Sequence, residues 1–143
     1  MNVLLSIRPK YVEEIIKGNK RYEFRKSIFK KNVDEVWIYA TSPTKKIVGT
    51  FGIGKIIKDT PDNLWENLNE LSGLSEQEFF DYFYGIKVGF ALELEYTKFF
   101  EVPIDPKIIF PNFIPPQSFY YFNNSLIKAM GKREDEEQKR IQN

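Results

Sequence analysis

The sequence of 143 residues contains no cysteine and no histidine. Disulfide bonds, zinc sites built from Cys and His, and catalysis by a thiol or an imidazole are therefore excluded. Any proton transfer must use a Lys, Asp, Glu, Tyr or hydroxyl side chain. We accordingly expect no metal and no cofactor.

Long apolar segments are missing as well. No run approaches the roughly 18 apolar residues of a membrane-spanning helix. The segment 1–6 is too short and too uncharged to be a signal peptide. We therefore expect a cytoplasmic protein without a membrane partner.

What the chain does contain is many aromatic residues and an uneven distribution of charge. Hydrophobic residues make up 42% and aromatic residues 16%, which indicates an ordered globular fold. Residues 8–31 carry nine Lys or Arg against three Glu, whereas residues 59–95 carry nine acidic residues against one Lys. A polyanion bound at the basic end is one explanation, and a solvated dipole without a partner is the other.

The basic segment begins with a strand, a helix and a charged strand. The apolar run 3–7 predicts a buried strand, and the apolar stripe of 9–17 predicts a helix with Pro9 in its first turn. Gly18 stands where a left-handed residue ends a helix. The segment 20–26 that follows predicts an extended strand with a polar face.

Side chains alternate between the two faces of this charged strand. Tyr22 and Phe24 are predicted to face the core, and Arg21, Glu23 and Arg25 to form a charged row on the other face. A carboxylate among cations makes a poor core and a good polar site. The alternative is a structural ion pair in which Glu23 is held between the two arginines.

The remaining patterns predict an α+β fold around a bent antiparallel or mixed barrel. The five prolines of 103–116 predict an extended connection without a helix. Residues 1–130 are expected to form one domain, and 131–143 a charged tail. Further strands are expected at 34–41, 46–57, 88–96 and 98–104, helices after Thr60 and Ser75, and a last short helix from Asn124 or Ser125 to Met130.

Several motifs resemble the ASCH domain, a family of the PUA-like superfamily, and in particular a bacterial and phage subgroup. The resemblance covers roughly residues 3–121. The family pattern Gly-x-Lys-x-x-Glu-x-Arg follows the first helix here at Gly18, Lys20, Glu23 and Arg25. Flanking similarities are Ser-Ile-Arg-Pro at 6–9, Tyr-Ala-Thr-Ser-Pro at 39–43 and Pro-Pro-Gln-Ser-Phe at 115–119.

The resemblance implies a PUA-like pseudo-barrel of five or six bent, mostly antiparallel strands with flanking helices. It also implies a cleft between the barrel and the first helix, with RNA, another nucleic acid or a nucleotide as ligand. One branch of the family hydrolyses acetylated cytidine with a motif lysine, a nearby threonine and a later glutamate. Lys20 matches that lysine, but Tyr22, Glu23 and Phe24 stand where the threonine would follow.

In such a cleft, Glu23 would accept hydrogen bonds from a base edge and Arg25 would bind a phosphate. Lys20 would supply a cation, or a base if burial lowers its pKa. Other residues are expected near the cleft because they lie at strand ends, at the helix start or in a proline-fixed recognition loop. They are Ser6, Lys10, Tyr39, Thr41, Ser42, Gln117, Ser118 and Phe119.

These features predict a module that binds a nucleic acid or a nucleotide. RNA is the preferred ligand, and a regulatory role is left as an open alternative. The alternative is an enzyme, either an acetylated-cytidine amidohydrolase or a ribonuclease, with Lys20 and Glu23 as catalytic residues. A third possibility is a protein-interaction domain that uses the acidic helices of 62–81.

Overall fold

The computed structural model describes residues 1–109 and 112–123. The strands are β1 (Asn2–Ile7), β2 (Tyr22–Arg25), β3 (Glu35–Ala40), β4 (Lys46–Asp59), β5 (Gly89–Ile104) and β6 (Phe119–Phe122). The helices are α1 (Pro9–Ile16), α2 (Pro61–Leu68), α3 (Glu76–Tyr82) and the single turn α4 (Pro106–Ile109), with a 3-10 turn at Asn69–Leu71.

The strands form one mixed sheet in the order β2-β5-β4-β3-β1-β6. Strand β1 pairs in parallel with β3 and antiparallel with β6, while β2–β5 and β3–β4 are antiparallel. The predicted α+β class is confirmed. No helix among residues 1–109 and 112–123 is long and apolar enough to cross a membrane.

The chain divides into two compact units whose segments alternate along the sequence. Among the described residues, the first consists of 1–9, 32–52, 96–109 and 112–123, and the second of Lys10–Lys31 and Ile53–Glu95. In the described part of the first unit the buried cluster includes Leu4, Trp37, Tyr39, Ile47, Phe100, Ile104 and Phe122. The division into a 1–130 domain and a tail stays a prediction.

The core of the second unit is built from aromatic rings. Phe79 of α3 is completely buried, and its ring lies 5.1 Å from that of Phe24, 5.1 Å from that of Trp65 and 4.9 Å from that of Phe83. The centre of α3 is therefore buried, whereas Tyr84, which follows the helix, is 88% exposed.

Phe79→Ala is expected to destabilise the protein by about 3–5 kcal/mol, because it leaves a cavity among the surrounding aromatic rings. Urea unfolding would measure the loss. Tyr84→Ala provides the matched control and should change the free energy of unfolding little. A small loss for Phe79→Ala would mean that the surrounding rings collapse into the space.

The local start and stop signals are confirmed. The Thr60 side chain accepts a hydrogen bond from the Asn63 amide at the start of α2, and Ser75 and Glu78 form both bonds of a capping box on α3. Gly18, just after α1, has a φ of +83°. That conformation favours glycine.

Three local predictions are wrong. The strands expected at 88–96 and 98–104 are one continuous strand, β5, in which Tyr96 adopts a φ of +48°. The proline-rich stretch contains the helical turn α4, since Pro106 stands in its first position, where a missing N–H costs nothing. Phe119 belongs to β6 and not to a loop. The helix expected before Met130 and the tail lie outside the described residues.

Candidate functional site

Lys20 is hydrogen-bonded to Ser72, which directly follows the 3-10 turn of the second unit. It forms an isolated antiparallel bridge with Ser72, and its Nζ donates a 2.9 Å hydrogen bond to the Ser72 carbonyl oxygen. The Arg21 amide donates to the Leu71 carbonyl at 2.8 Å. Only 1% of the Lys20 side chain is exposed, so its ammonium group is buried.

Glu23 lies between two cations. Its Oε1 is 3.6 Å from Lys20 Nζ, and its Oε2 is 3.6 Å from Arg25 Nη1. The Glu23 and Arg25 side chains are 10% and 13% exposed. A ligand would therefore meet the carboxylate and the guanidinium first, with the Lys20 ammonium behind them.

The electrostatics of Lys20 follow from its surroundings. Burial lowers its pKa most strongly and outweighs the Glu23 carboxylate, which raises it, while the Arg25 charge lowers it further. The Nζ lies 5.1 Å from the centre of the Phe24 ring and 5.8 Å from that of Tyr11. The two ring faces favour the charged form, but burial outweighs them, so the neutral amine is favoured more than it is in water.

A network of charged and hydroxyl groups links α1 to α3. Glu78 Oε2 accepts hydrogen bonds of 2.8 Å from both Lys10 Nζ and the Tyr11 hydroxyl, and Oε1 accepts one from the Ser75 amide. These donors, Lys10 first, lower the pKa of Glu78 to about 2. Lys10 is thus paired with Glu78, 68 residues away.

Two aromatic neighbours of this site were not predicted from the sequence. The Tyr11 hydroxyl reaches Glu78, and the Tyr82 ring lies under the Lys26 ammonium at 4.8 Å. Burial raises the pKa of Tyr82, and the charges of Arg25 and Glu23 also act on it. The sequence could have indicated Tyr82 through helical spacing, because Glu78 and Tyr82 are four residues apart on α3 and therefore lie on one face of it.

In the first unit, Ser6 is hydrogen-bonded to the segment 116–118, which was predicted to be part of a recognition loop. Its hydroxyl donates a 2.7 Å hydrogen bond to the Pro116 carbonyl, and its amide donates to the Ser118 carbonyl at 3.2 Å. Gln117 is exposed between them, and the Phe119 ring packs edge-on against Tyr121 at 5.5 Å. The structure therefore brings Ser6, Gln117 and Ser118 together.

The strand end at Tyr39 is less accessible. Tyr39 is 3% exposed, packs 5.2 Å from the Phe113 ring, and has a raised pKa because it is desolvated and lies near Asp105. The Thr41 amide donates to the Ile7 carbonyl at 3.0 Å, and Ser42 is exposed. The hydroxyls of Thr41 and Ser42 are thus more open to a ligand than that of Tyr39.

The predicted site residues fall into two groups, one in each unit. Lys20, Glu23 and Arg25 contact one another in the second unit, and Ser6 meets the 116–118 segment in the first. A single cleft that contains both groups stays a prediction. In the part of the chain that the structure describes, no three His, Cys, Asp or Glu side chains are placed to hold a metal ion.

Comparison with known proteins identifies the family. The ASCH domain model matches residues 5–103, and the chain belongs to the ASCH domain family. A relative from Zymomonas mobilis described as an ASCH domain-containing ribonuclease is 33% identical over 118 residues, which cover 80% of each chain.

Solved structures share the fold. The crystal structure of ASCH from Zymomonas mobilis has a TM-score of 0.84 at 30% identity and covers 92% of this chain and 94% of its own. A single-residue variant of the same protein gives 0.84 at 29% identity, with coverages of 92% and 96%. The PUA-like pseudo-barrel with flanking helices that the motifs implied is confirmed.

Proposed function

We propose that this chain binds single-stranded RNA at Glu23 and Arg25 and cleaves it. The observation that carries the proposal is a carboxylate held between two cations, with the carboxylate and guanidinium partly open and the ammonium buried behind them. Perturbed ionisable groups of this kind concentrate at functional sites. The name of the 33% identical relative, a ribonuclease, favours RNA as the substrate.

The chemistry matches what the side chains offer. Glu23 takes the proton from a ribose 2′-hydroxyl, and the 2′-oxygen then attacks the adjacent phosphorus. The bond from phosphorus to the 5′-oxygen breaks, the 5′-oxygen takes a proton from water, and a 2′,3′-cyclic phosphate remains. Arg25 binds the non-bridging oxygens, where negative charge develops in the transition state. Lys20 acts through Glu23 as a positioning residue.

Hydrolysis of acetylated cytidine has less support. That reaction, as the family resemblance describes it, needs a lysine that touches the substrate and a threonine close to it. The Lys20 side chain is 1% exposed, and the threonine has no counterpart at residues 22–24. Protein binding through the acidic helices stays a prediction.

The proposal is tested by separating binding from cleavage. A 5′-labelled RNA oligomer and the same oligomer with 2′-O-methyl groups are incubated with the protein, and products and affinities are measured over a series of salt concentrations. We expect both oligomers to bind, with affinity falling as salt rises, and only the unmodified one to be cut. Failure to bind either oligomer at low salt would contradict the proposal.

Glu23→Gln is expected to slow cleavage by about 10²–10⁴-fold, the usual effect of a general base, while RNA binding is retained. Arg25→Ala should weaken both binding and cleavage. Arg21→Ala is the matched control, because Arg21 carries the same charge four residues away but is exposed. Equal effects of the two arginine substitutions would indicate only general attraction of the RNA, and unchanged cleavage by Glu23→Gln would remove Glu23 from the mechanism.

A further inference from the structure

Tyr82 lies close enough to Glu23 and Arg25 for both charges to act on its hydroxyl. It lies in the last turn of α3 and is half-buried, and its ring packs against that of Phe83 at 4.9 Å. Phe83 itself belongs to the aromatic core of the second unit. The Tyr82 ring is therefore packed against the core of the second unit.

The Lys26 ammonium lies over the Tyr82 ring. Its Nζ lies 4.8 Å from the ring centre, and the residue as a whole is exposed. Lys26 directly follows Arg25 in the chain, and the charges of Arg25 and Glu23 both act on the Tyr82 hydroxyl. The ring, the ammonium and the guanidinium thus belong to one neighbourhood.

An aromatic ring next to two cations is the usual composition of a single-stranded nucleic-acid subsite. A base stacks on the ring whatever its identity, and the cations follow the phosphates. Because the Lys26 side chain is exposed and flexible, it can leave the ring to a base and turn to the phosphate of the same nucleotide. An exposed cation–π contact is the weaker of the two interactions.

We propose that Tyr82 and Lys26 form a second nucleotide subsite, which takes the nucleotide next to the one held by Glu23 and Arg25. The inference rests on the proposed RNA-binding function and adds to it the length of the ligand. The shortest RNA that uses the whole site is then a dinucleotide, and the base on Tyr82 is held by stacking with little preference for its identity.

The test compares a mononucleotide with a dinucleotide on the full chain. Adenosine monophosphate and a 5′-phosphorylated adenosine dinucleotide with 2′-O-methyl groups, which cannot be cut, are titrated by calorimetry. The dinucleotide should bind about tenfold or more tightly, in the range of one stacked base. Tyr82→Leu should remove that gain and leave the affinity for the monophosphate unchanged, whereas Tyr82→Phe should retain the gain.

Tyr84→Leu is the matched control, because Tyr84 lies two residues further on and is 88% exposed, and its substitution should change neither affinity. A parent that binds both ligands equally, or a Tyr82→Leu variant that keeps the gain or weakens both ligands alike, would overturn the subsite and leave the proposed function standing. Binding of neither ligand by the parent would overturn both.

Discussion

Gly73→Ala is expected to slow RNA cleavage by about 10²-fold or more, although the residue carries no side chain. A Cβ at this position would lie 2.5 Å from the Cβ of Lys20, 3.0 Å from its Cγ and 3.1 Å from its Cδ. The nearest of these atoms is next to the backbone, so the lysine cannot yield by rotating its end. The substitution therefore forces Lys20, which lies just before β2, away from the turn.

The loss of activity follows because Lys20 holds the Glu23 carboxylate in place from behind. When the Lys20 side chain moves, its Nζ leaves the Ser72 carbonyl and the 3.6 Å approach to Glu23 Oε1 is lost. Misplacing a positioned group by about 1 Å can cost on the order of 10²-fold in rate. We expect at least that loss in cleavage, with a smaller loss in RNA binding because Arg25 remains.

The chain provides matched controls for the backbone part of this effect. Gly73 has a φ of +69°, and Gly85 and Gly18 have φ values of +76° and +83°. A Cβ at Gly85 or Gly18 meets nothing within 4 Å. All three alanine variants should lose about 1–2 kcal/mol from the left-handed backbone alone.

Only Gly73→Ala should combine this loss of stability with the loss of cleavage. Cleavage rates are compared at a temperature where urea unfolding shows all variants to be folded. Equal activity in the Gly73→Ala and Gly85→Ala proteins would show that the position of Lys20 does not matter to the reaction.

The sequence predicted the elements whose signals are local. Helix α1, the stop at Gly18 and the capping box of Ser75 each depend on residues within about four positions of one another. The neighbouring strands β3 and β4 follow from the same kind of pattern. These elements form as expected because no distant contact competes with the local preference.

Long-range pairing explains most of what the sequence missed. Strand β6 exists because Phe119–Phe122 pairs with β1, more than a hundred residues earlier in the chain. The continuity of β5 likewise depends on a positive φ at Tyr96, which a tyrosine rarely adopts. The local sequence pattern predicts neither the strand with which Phe119–Phe122 pairs nor the positive φ of Tyr96.

In the candidate site, too, local patterns predicted some features and long-range contacts determined the others. Alternation along the charged strand placed Glu23 and Arg25 on one face, and their side chains lie 3.6 Å apart. The ion-pair alternative expected Arg21 as the second partner of Glu23, and the structure has Lys20 there. The burial of Lys20 depends on Ser72, which lies 52 residues away, and the Tyr11 contact depends on Glu78, 67 residues away. The motif therefore predicted which residues meet, while their depth and their order toward a ligand required the fold.

Lys20→Met is expected to leave the protein folded while cleavage is lost. Methionine has a similar length and no charge, so it removes the cost of burying an ammonium group that burial already disfavours. Glu23 keeps Arg25 as a partner, and the Ser72 carbonyl loses one donor. We expect the free energy of unfolding at pH 7 to change by about 1 kcal/mol or less, since these effects oppose one another.

The pH dependence of the stability difference identifies the cause. Because the pKa of Lys20 is lowered in the folded protein, the unfolded chain binds more protons between that pKa and the ordinary value of 10.5. The parent therefore gains stability from Lys20 as the pH rises through this window. The Met variant lacks this gain, so its stability relative to the parent should fall between pH 7 and pH values of about 10.

Urea unfolding of both proteins at several pH values measures this difference, and groups that titrate alike in both cancel. Lys17→Met, a change at an exposed lysine of the same helix–strand connection, is the matched control. If Lys20 were a stabilising structural ion pair, its pKa would be raised and Lys20→Met would be most costly at neutral pH. A Lys20→Met variant whose stability relative to the parent rises with pH would show that Glu23 stabilises the charge more than burial opposes it. Lys20 would then be a structural lysine.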